Sequence, residues 1–136
     1  MNDISPSRME GKYEILAKLG EGGMGAAYKV RHRLLDELRV IKVMRPQLGQ
    51  DPALKARFFH EAKVANQLRH TNIAQLFDFS LDDDGVAFIV MEYVPGVNLE
   101  ALVRSASPLP LGLGLEIARQ GLRGLGFLHS KGFIHQ

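Results

Sequence analysis

A chain of 136 residues with 46% apolar residues is long enough to bury one core and too short for two ordinary domains. Its 17 Lys and Arg against 15 Asp and Glu leave a formal charge of +2, without the clustered basic excess of a dedicated nucleic-acid binder. The absence of cysteine excludes disulfides and thiolate zinc sites and suits a reducing, cytoplasmic setting. The longest apolar stretch, residues 86–94, is interrupted by Glu92 and is too short to span a bilayer. Residues 1–10 are polar and lack an apolar signal core, and residues 1–12 read as a disordered tail.

Beyond the tail, Tyr13, Ile15, Ala17 and Leu19 alternate with Glu14, Lys18 and Gly20, the period of a half-buried strand. A glycine cluster, residues 20–25, follows. Residues 27–30 then read as a returning strand, which makes a hairpin with a glycine-rich turn. Residues 38–44 form a third strand, rich in β-branched side chains. Asp51 and Pro52 suit the cap and first turn of a helix, and Phe58, Ala62, Ala65 and Leu68 mark its buried face. Residues 75–81 and 86–94 are two more strands, joined by the turn signal Asp82, Asp83, Asp84, Gly85.

After Pro95 and Gly96 the composition shifts. Asn98 is placed to cap a short helix through residue 103, and residues 105–110 read as a loop. Leu111, Leu115, Ala118, Leu122 and Leu125 give the stripe of a long helix ending near His129, with Gly132 placed to cap it. Five glycines within it, at 112, 114, 121, 124 and 126, weaken it intrinsically, so it needs packing to persist.

Gly20, Glu21, Gly22, Gly23, Met24 and Gly25 match G-x-G-x-x-G, a pattern that a plain glycine-rich hairpin also satisfies. A dinucleotide fingerprint requires a helix straight after the glycines and a later acidic residue; Tyr28 to Val30 instead continue as strand. A Walker loop requires Lys and Ser or Thr after its last glycine, where Ala26 and Ala27 stand. A glycine loop between two strands remains, with backbone amides free to approach phosphate oxygens. Lys42 lies inside an apolar strand, where a buried ammonium needs a partner; a lysine with its stem along an exposed sheet face is the alternative. Glu61 lies on or beside the apolar stripe of its helix. It could reach solvent, or it could hold Lys42 charged and oriented. The five histidines show no metal-ligand spacing with carboxylates.

With these parts in this order, the chain from Tyr13 to its last residue resembles a protein kinase catalytic domain, of the bacterial serine/threonine type. The resemblance implies an α+β fold: a kinase-like small lobe with a five-stranded antiparallel sheet and one regulatory helix (residues 13–94), then two helices that begin a larger lobe (residues 95–136). It implies an ATP site at Leu19, Gly20, Glu21, Gly22, Gly23, Met24, Gly25, Ala26, Ala27, Val40 and Lys42. Met91 would be the gatekeeper, and Glu92, Tyr93 and Val94 the hinge. Lys42 and Glu61 would be the ion pair that holds phosphates. Ala27 stands at the pattern's valine, Val40 at a customary alanine, and Thr71 at a proline.

Residues 133–136 resemble the run into the catalytic loop, with His135 at its histidine and Gln136 at its arginine. The catalytic aspartate would follow Gln136, and the Mg²⁺ ligands come later still. The implied activity is phosphoryl transfer from ATP to serine or threonine of a protein substrate, with Mg²⁺ as cofactor. The 136-residue chain by itself is expected to be inactive, with self-association through an exposed C-terminal helix. Two other functions compete. One is a catalytically dead, pseudokinase-like nucleotide-binding regulator. The other is an interaction scaffold, which has no need of Gly20, Gly22, Gly25, Lys42 and Glu61 together.

Overall fold

The computed structural model describes residues 11–22, 25–45, 50–81 and 86–132, apart from the side chain of Glu61. The chain forms two compact units, Met1–Gln67 with Gln75–Tyr93, and Leu68–Ala74 with Val94–Gln136. The first holds β1 (Tyr13–Glu21), β2 (Gly25–His32), β3 (Leu38–Met44), α1 (Pro52–Gln67), β4 (Leu76–Leu81) and β5 (Ala87–Glu92). The second holds α2 (Leu99–Ala106) and α3 (Leu111–Ser130). All five strands join one antiparallel sheet in the order β1-β2-β3-β5-β4. The turn expected at residues 82–85 lies outside the described residues.

Strand pairing gives the sheet two chemically different faces, because successive side chains point to opposite sides. Ala26, Val30, Ile41, Val43, Phe88 and Val90 lie on one face and form the buried core with Tyr13. Burial of these branched and aromatic side chains supplies the dominant favourable term in folding the unit. The opposite face carries Ala27, Lys42 and Ile89 in one cross-strand row, and Lys29, Val40 and Met91 in the next.

The alternation expected of β1 holds only at its start. Its register slips between Ile15 and Ala17 and again between Lys18 and Gly20. Each irregularity inserts a residue and turns the strand over. Tyr13 is therefore buried, whereas Leu19, expected on the same face, is 50% exposed.

The β2–β3 connection is held by His32, whose Nδ1 accepts from the backbone N–H of Leu34 (3.2 Å) and Leu35 (3.1 Å). Its ring meets Tyr13 edge-on at 5.1 Å. Between these contacts His32 is 9% exposed, a buried polar residue with its hydrogen bonds satisfied.

α1 begins as the sequence indicates. Asp51 Oδ1 accepts from the N–H of Ala53 (2.9 Å) and Leu54 (3.3 Å), which satisfies donors that the first turn leaves unpaired. Ala62 and Leu68 are buried and Phe58 and Ala65 half-buried. The helix meets β4 through aromatic contacts, with Phe58 and Phe59 at 5.5 and 4.9 Å from Phe79. Phe79 pairs in register with Ile89, and Ile89 with Lys42. The helix therefore packs on the Lys42 face of the sheet.

In the second unit, Asn98 Oδ1 accepts from Ala101 N–H at 2.7 Å, the expected cap. α2 runs three residues past its expected end, to Ala106, and an exposed Arg104–Glu100 pair at 2.5 Å links its first turn to its last. α3 packs through Gly124 and Phe127, whose ring lies 4.9 Å from His70. A Cβ on Gly124 would stand 3.0 Å from the Asn72 carbonyl oxygen, so glycine permits this close approach. The leucine stripe is left open, with Leu111 77%, Leu115 62% and Leu122 67% exposed. Gly132 closes the helix at φ +85°, donating its N–H to His129 O at 3.0 Å.

Candidate functional site

A cleft of about 440 Å³ opens on the Lys42 face of the sheet, within the usual size of small-ligand sites. The end of β1 contributes Gly20, Glu21 and Gly22, and the start of β2 contributes Gly25, Ala26 and Ala27. Lys42, Val43 and Met44 come from β3, Ile89 from β5 and Phe58 from α1. Ala27, Lys42 and Ile89 are consecutive partners across three strands, so the sheet itself sets their spacing. The Lys42 side chain, itself exposed, thus stands beside apolar wall and below a glycine-rich rim.

The described glycines of the loop do different work. Gly22 N–H donates to Gly25 O at 2.8 Å, which closes the turn. A Cβ on Gly25 would lie 1.9 Å from the Val43 carbonyl oxygen, so that position must be glycine for β2 to pair with β3. Around Gly20 and Gly22 nothing would touch a Cβ within 4 Å. No fold requirement explains those two, whereas bare backbone facing a cleft admits a close-approaching ligand.

Charged groups fix the rim. Lys18 Nζ donates to Glu21 Oε2 at 2.5 Å, and this bond chiefly holds the Glu21 carboxyl below its ordinary value. The same bond raises the Lys18 ammonium. Arg45, just past β3, donates from Nε to Gly22 O at 3.0 Å and approaches Glu21 Oε1 with Nη2 at 3.4 Å.

Of the residues singled out in the sequence, Gly20, Glu21, Gly22, Gly25, Ala26, Ala27 and Lys42 meet in this cleft. Gly23, Met24 and the side chain of Glu61 lie outside the described residues. Glu61 itself sits on α1, one turn after Phe58. Val40 and Met91 are register partners on the Lys42 face, both half-buried, but they do not line the cleft. Leu19 is exposed and does not line it either.

The Glu92 carboxylate accepts from Gln75 N–H at 3.0 Å, and Glu92 N–H donates to Gln75 O at 2.7 Å. Tyr93 lies under the Lys29 ammonium, 4.7 Å from the ring centre, a cation–π contact. Val94 is 61% exposed and belongs to the second unit. Sequence reasoning missed Phe58, Ile89, Val43, Met44 and Arg45 as parts of the site. Ile89 was recoverable from strand register, and Phe58 from its place one turn before Glu61.

A five-stranded antiparallel sheet, a helix on one face and a glycine-rimmed cleft over a strand lysine are the parts of a protein-kinase small lobe. The protein kinase domain model matches residues 13–136, and the chain belongs to that family. It is 41% identical over 125 residues to the serine/threonine-protein kinase pkn3 of Myxococcus xanthus, covering 92% of this chain and 23% of that protein. It is 36% identical over 133 residues to the serine/threonine-protein kinase PksC of Streptomyces coelicolor, covering 93% and 24%. The crystal structure of the Mycobacterium tuberculosis PknI kinase domain superposes with a TM-score of 0.75 at 30% identity, over 91% of this chain and 50% of that one. The chain thus spans about a quarter of the length of these relatives and half of the solved kinase domain.

Among the described residues, no group of three or more His, Asp or Glu could hold a metal ion, and no helix is long and apolar enough to cross a membrane.

Proposed function

We propose that the cleft binds ATP and that the chain is the nucleotide-holding part of a serine/threonine protein kinase. The observation that carries this reading is the meeting of Gly20, Gly22 and Lys42 in one cleft, with the two glycines free of any packing reason to be glycine. Lys42 would meet the phosphates, the rim amides would lie over them, and Ala27, Ile89 and Phe58 would supply apolar wall. By resemblance, Val40 and Met91 would bound the adenine, and Glu92, Tyr93 and Val94 would form the hinge. Glu61, on the helix that packs over the Lys42 face, would hold the ammonium.

In this reading residues 13–94 are the ATP-binding lobe, residues 95–136 begin the larger lobe, and the setting is cytoplasmic, where ATP is available. Mg²⁺ would accompany ATP in the reaction, but the described residues offer it no ligand set, so no step is assigned to them through the metal. Kinase catalysis is largely positioning and charge stabilisation, and these residues hold the donor end of the phosphoryl group.

ATP binding to the 136-residue polypeptide tests the reading by calorimetry. Binding is expected, and Lys42→Ala should weaken it roughly ten- to a hundredfold, as loss of a charged hydrogen bond does. The polypeptide limited to residues 1–136 should not transfer phosphate to protein substrates. Unchanged affinity in Lys42→Ala, or saturable binding of ATP away from the cleft, would sink the proposal. The open Leu111, Leu115 and Leu122 of α3 should also make this polypeptide self-associate. Light scattering that shows a monomer across a concentration series would refute that.

A further inference from the structure

We propose that Arg45 is a positioning residue for the nucleotide: its guanidinium ties the Glu21–Gly22 rim of the cleft to the end of β3 and so sets the rim backbone before ligand arrives. The inference rests on the reading of the cleft as an ATP site.

The geometry uses what an arginine has and a lysine lacks. Nε reaches the Gly22 carbonyl at 3.0 Å while Nη2 reaches toward Glu21 Oε1 at 3.4 Å, two acceptors served by one planar fork. Glu21 is fixed from its other side by Lys18 at 2.5 Å. The residues held are those that need holding. Gly22 lies past the last β1–β2 pair and has open space where a side chain would be, so packing does not restrain it, and glycine loses more backbone freedom on ordering than any other residue. Without a restraint, that ordering would be charged against ligand affinity at the moment of binding.

Arg45 is also poised to act there. It directly follows Met44, which lines the cleft with Lys42, and its side chain is 31% exposed, so it is partly shielded from water. Its hydrogen bonds go to the Gly22 main chain and the Glu21 carboxylate, both on the rim. Loss of the contacts should therefore move the phosphate end of the site and leave the sheet intact.

The test compares wild type, Arg45→Ala and Arg45→Lys in binding ATP and adenosine, with thermal unfolding of each. Hydrogen exchange is followed at the Gly22 amide. Arg45→Ala should weaken ATP about tenfold, leave adenosine within about twofold, and speed exchange at Gly22 with little change in the unfolding midpoint. Arg45→Lys, which keeps the charge but lacks the planar fork that spans both acceptors, should fall between. Equal ATP affinity in wild type and Arg45→Ala overturns this inference alone. Equal weakening of ATP and adenosine, together with a lowered midpoint, shows a merely structural arginine and also overturns it. Failure of wild type to bind ATP overturns the cleft reading, and this inference with it.

Discussion

Gly25→Ala separates the two kinds of glycine in the rim. The added methyl would lie 1.9 Å from Val43 O, 2.9 Å from Val43 C and 3.1 Å from Met44 Cα. These are main-chain atoms of the adjacent strand, and Gly25 is itself the register partner of Met44. No rotamer change relieves the overlap; β2 must draw away from β3 at this end. Overpacking of this kind costs about 1–3 kcal/mol, which corresponds to roughly 4–12 °C in unfolding midpoint for a small domain. Gly20→Ala and Gly22→Ala meet nothing within 4 Å and should stay within about 0.5 kcal/mol of wild type. They should nonetheless lose ATP affinity, since each puts a methyl where the backbone faces the cleft. Thermal and urea unfolding of the three variants, alongside ATP titration, gives the comparison. A Gly25→Ala protein as stable as wild type, or three variants equally destabilised, would refute the distinction.

Other outcomes follow from single groups. His32→Leu leaves the N–H groups of Leu34 and Leu35 without the acceptor they now share. Leu34 is 89% exposed, so water replaces part of the loss, and the cost should fall near 1 kcal/mol; His32→Asn should recover some of it, and an unchanged urea midpoint in His32→Leu would contradict the role. Glu116 is held down from its ordinary 4.5 to about 2, first by hydrogen bonds from Arg119 and Gln120. A depressed carboxyl contributes its stabilisation fully above the unfolded value and loses it as pH falls from about 4.5 toward 2. The helical signal of wild type should therefore exceed that of Glu116→Gln at pH 6 and converge with it near pH 2. A gap that persists at pH 2 would show that the pairing does not act through Glu116 ionisation.

Much of the fold could be read from residues because the signals are local. Asp51 and Asn98 cap the helices they precede, and β3 spans the residues its branched side chains mark. Reading failed where a strand departs from regular pleat. In β1 the slip between Ile15 and Ala17 reverses the alternation, and Leu19 is the extra residue at the second slip, so it leaves the face that Tyr13 occupies; no residue type announces a bulge. In the site, the glycines and Lys42 were legible because each is unusual in a strand context. Arg45 was not, since an arginine after a strand is ordinary until its partners Gly22 and Glu21, more than 20 positions earlier, are brought beside it. Ile89 was hidden among apolar neighbours, and only its pairing with Lys42 separates it from Phe88 and Val90.

The pleat gives this sheet an evolutionary property. Core residues Ile41, Val43, Phe88 and Val90 alternate along the chain with Val40, Lys42, Ile89 and Met91, which face the other way. A substitution at Ile89, which lines the cleft, changes the Lys42 side of the sheet without opening a void among the buried residues. The shape of the cleft can therefore drift at Ile89 separately from the packing that holds the sheet together.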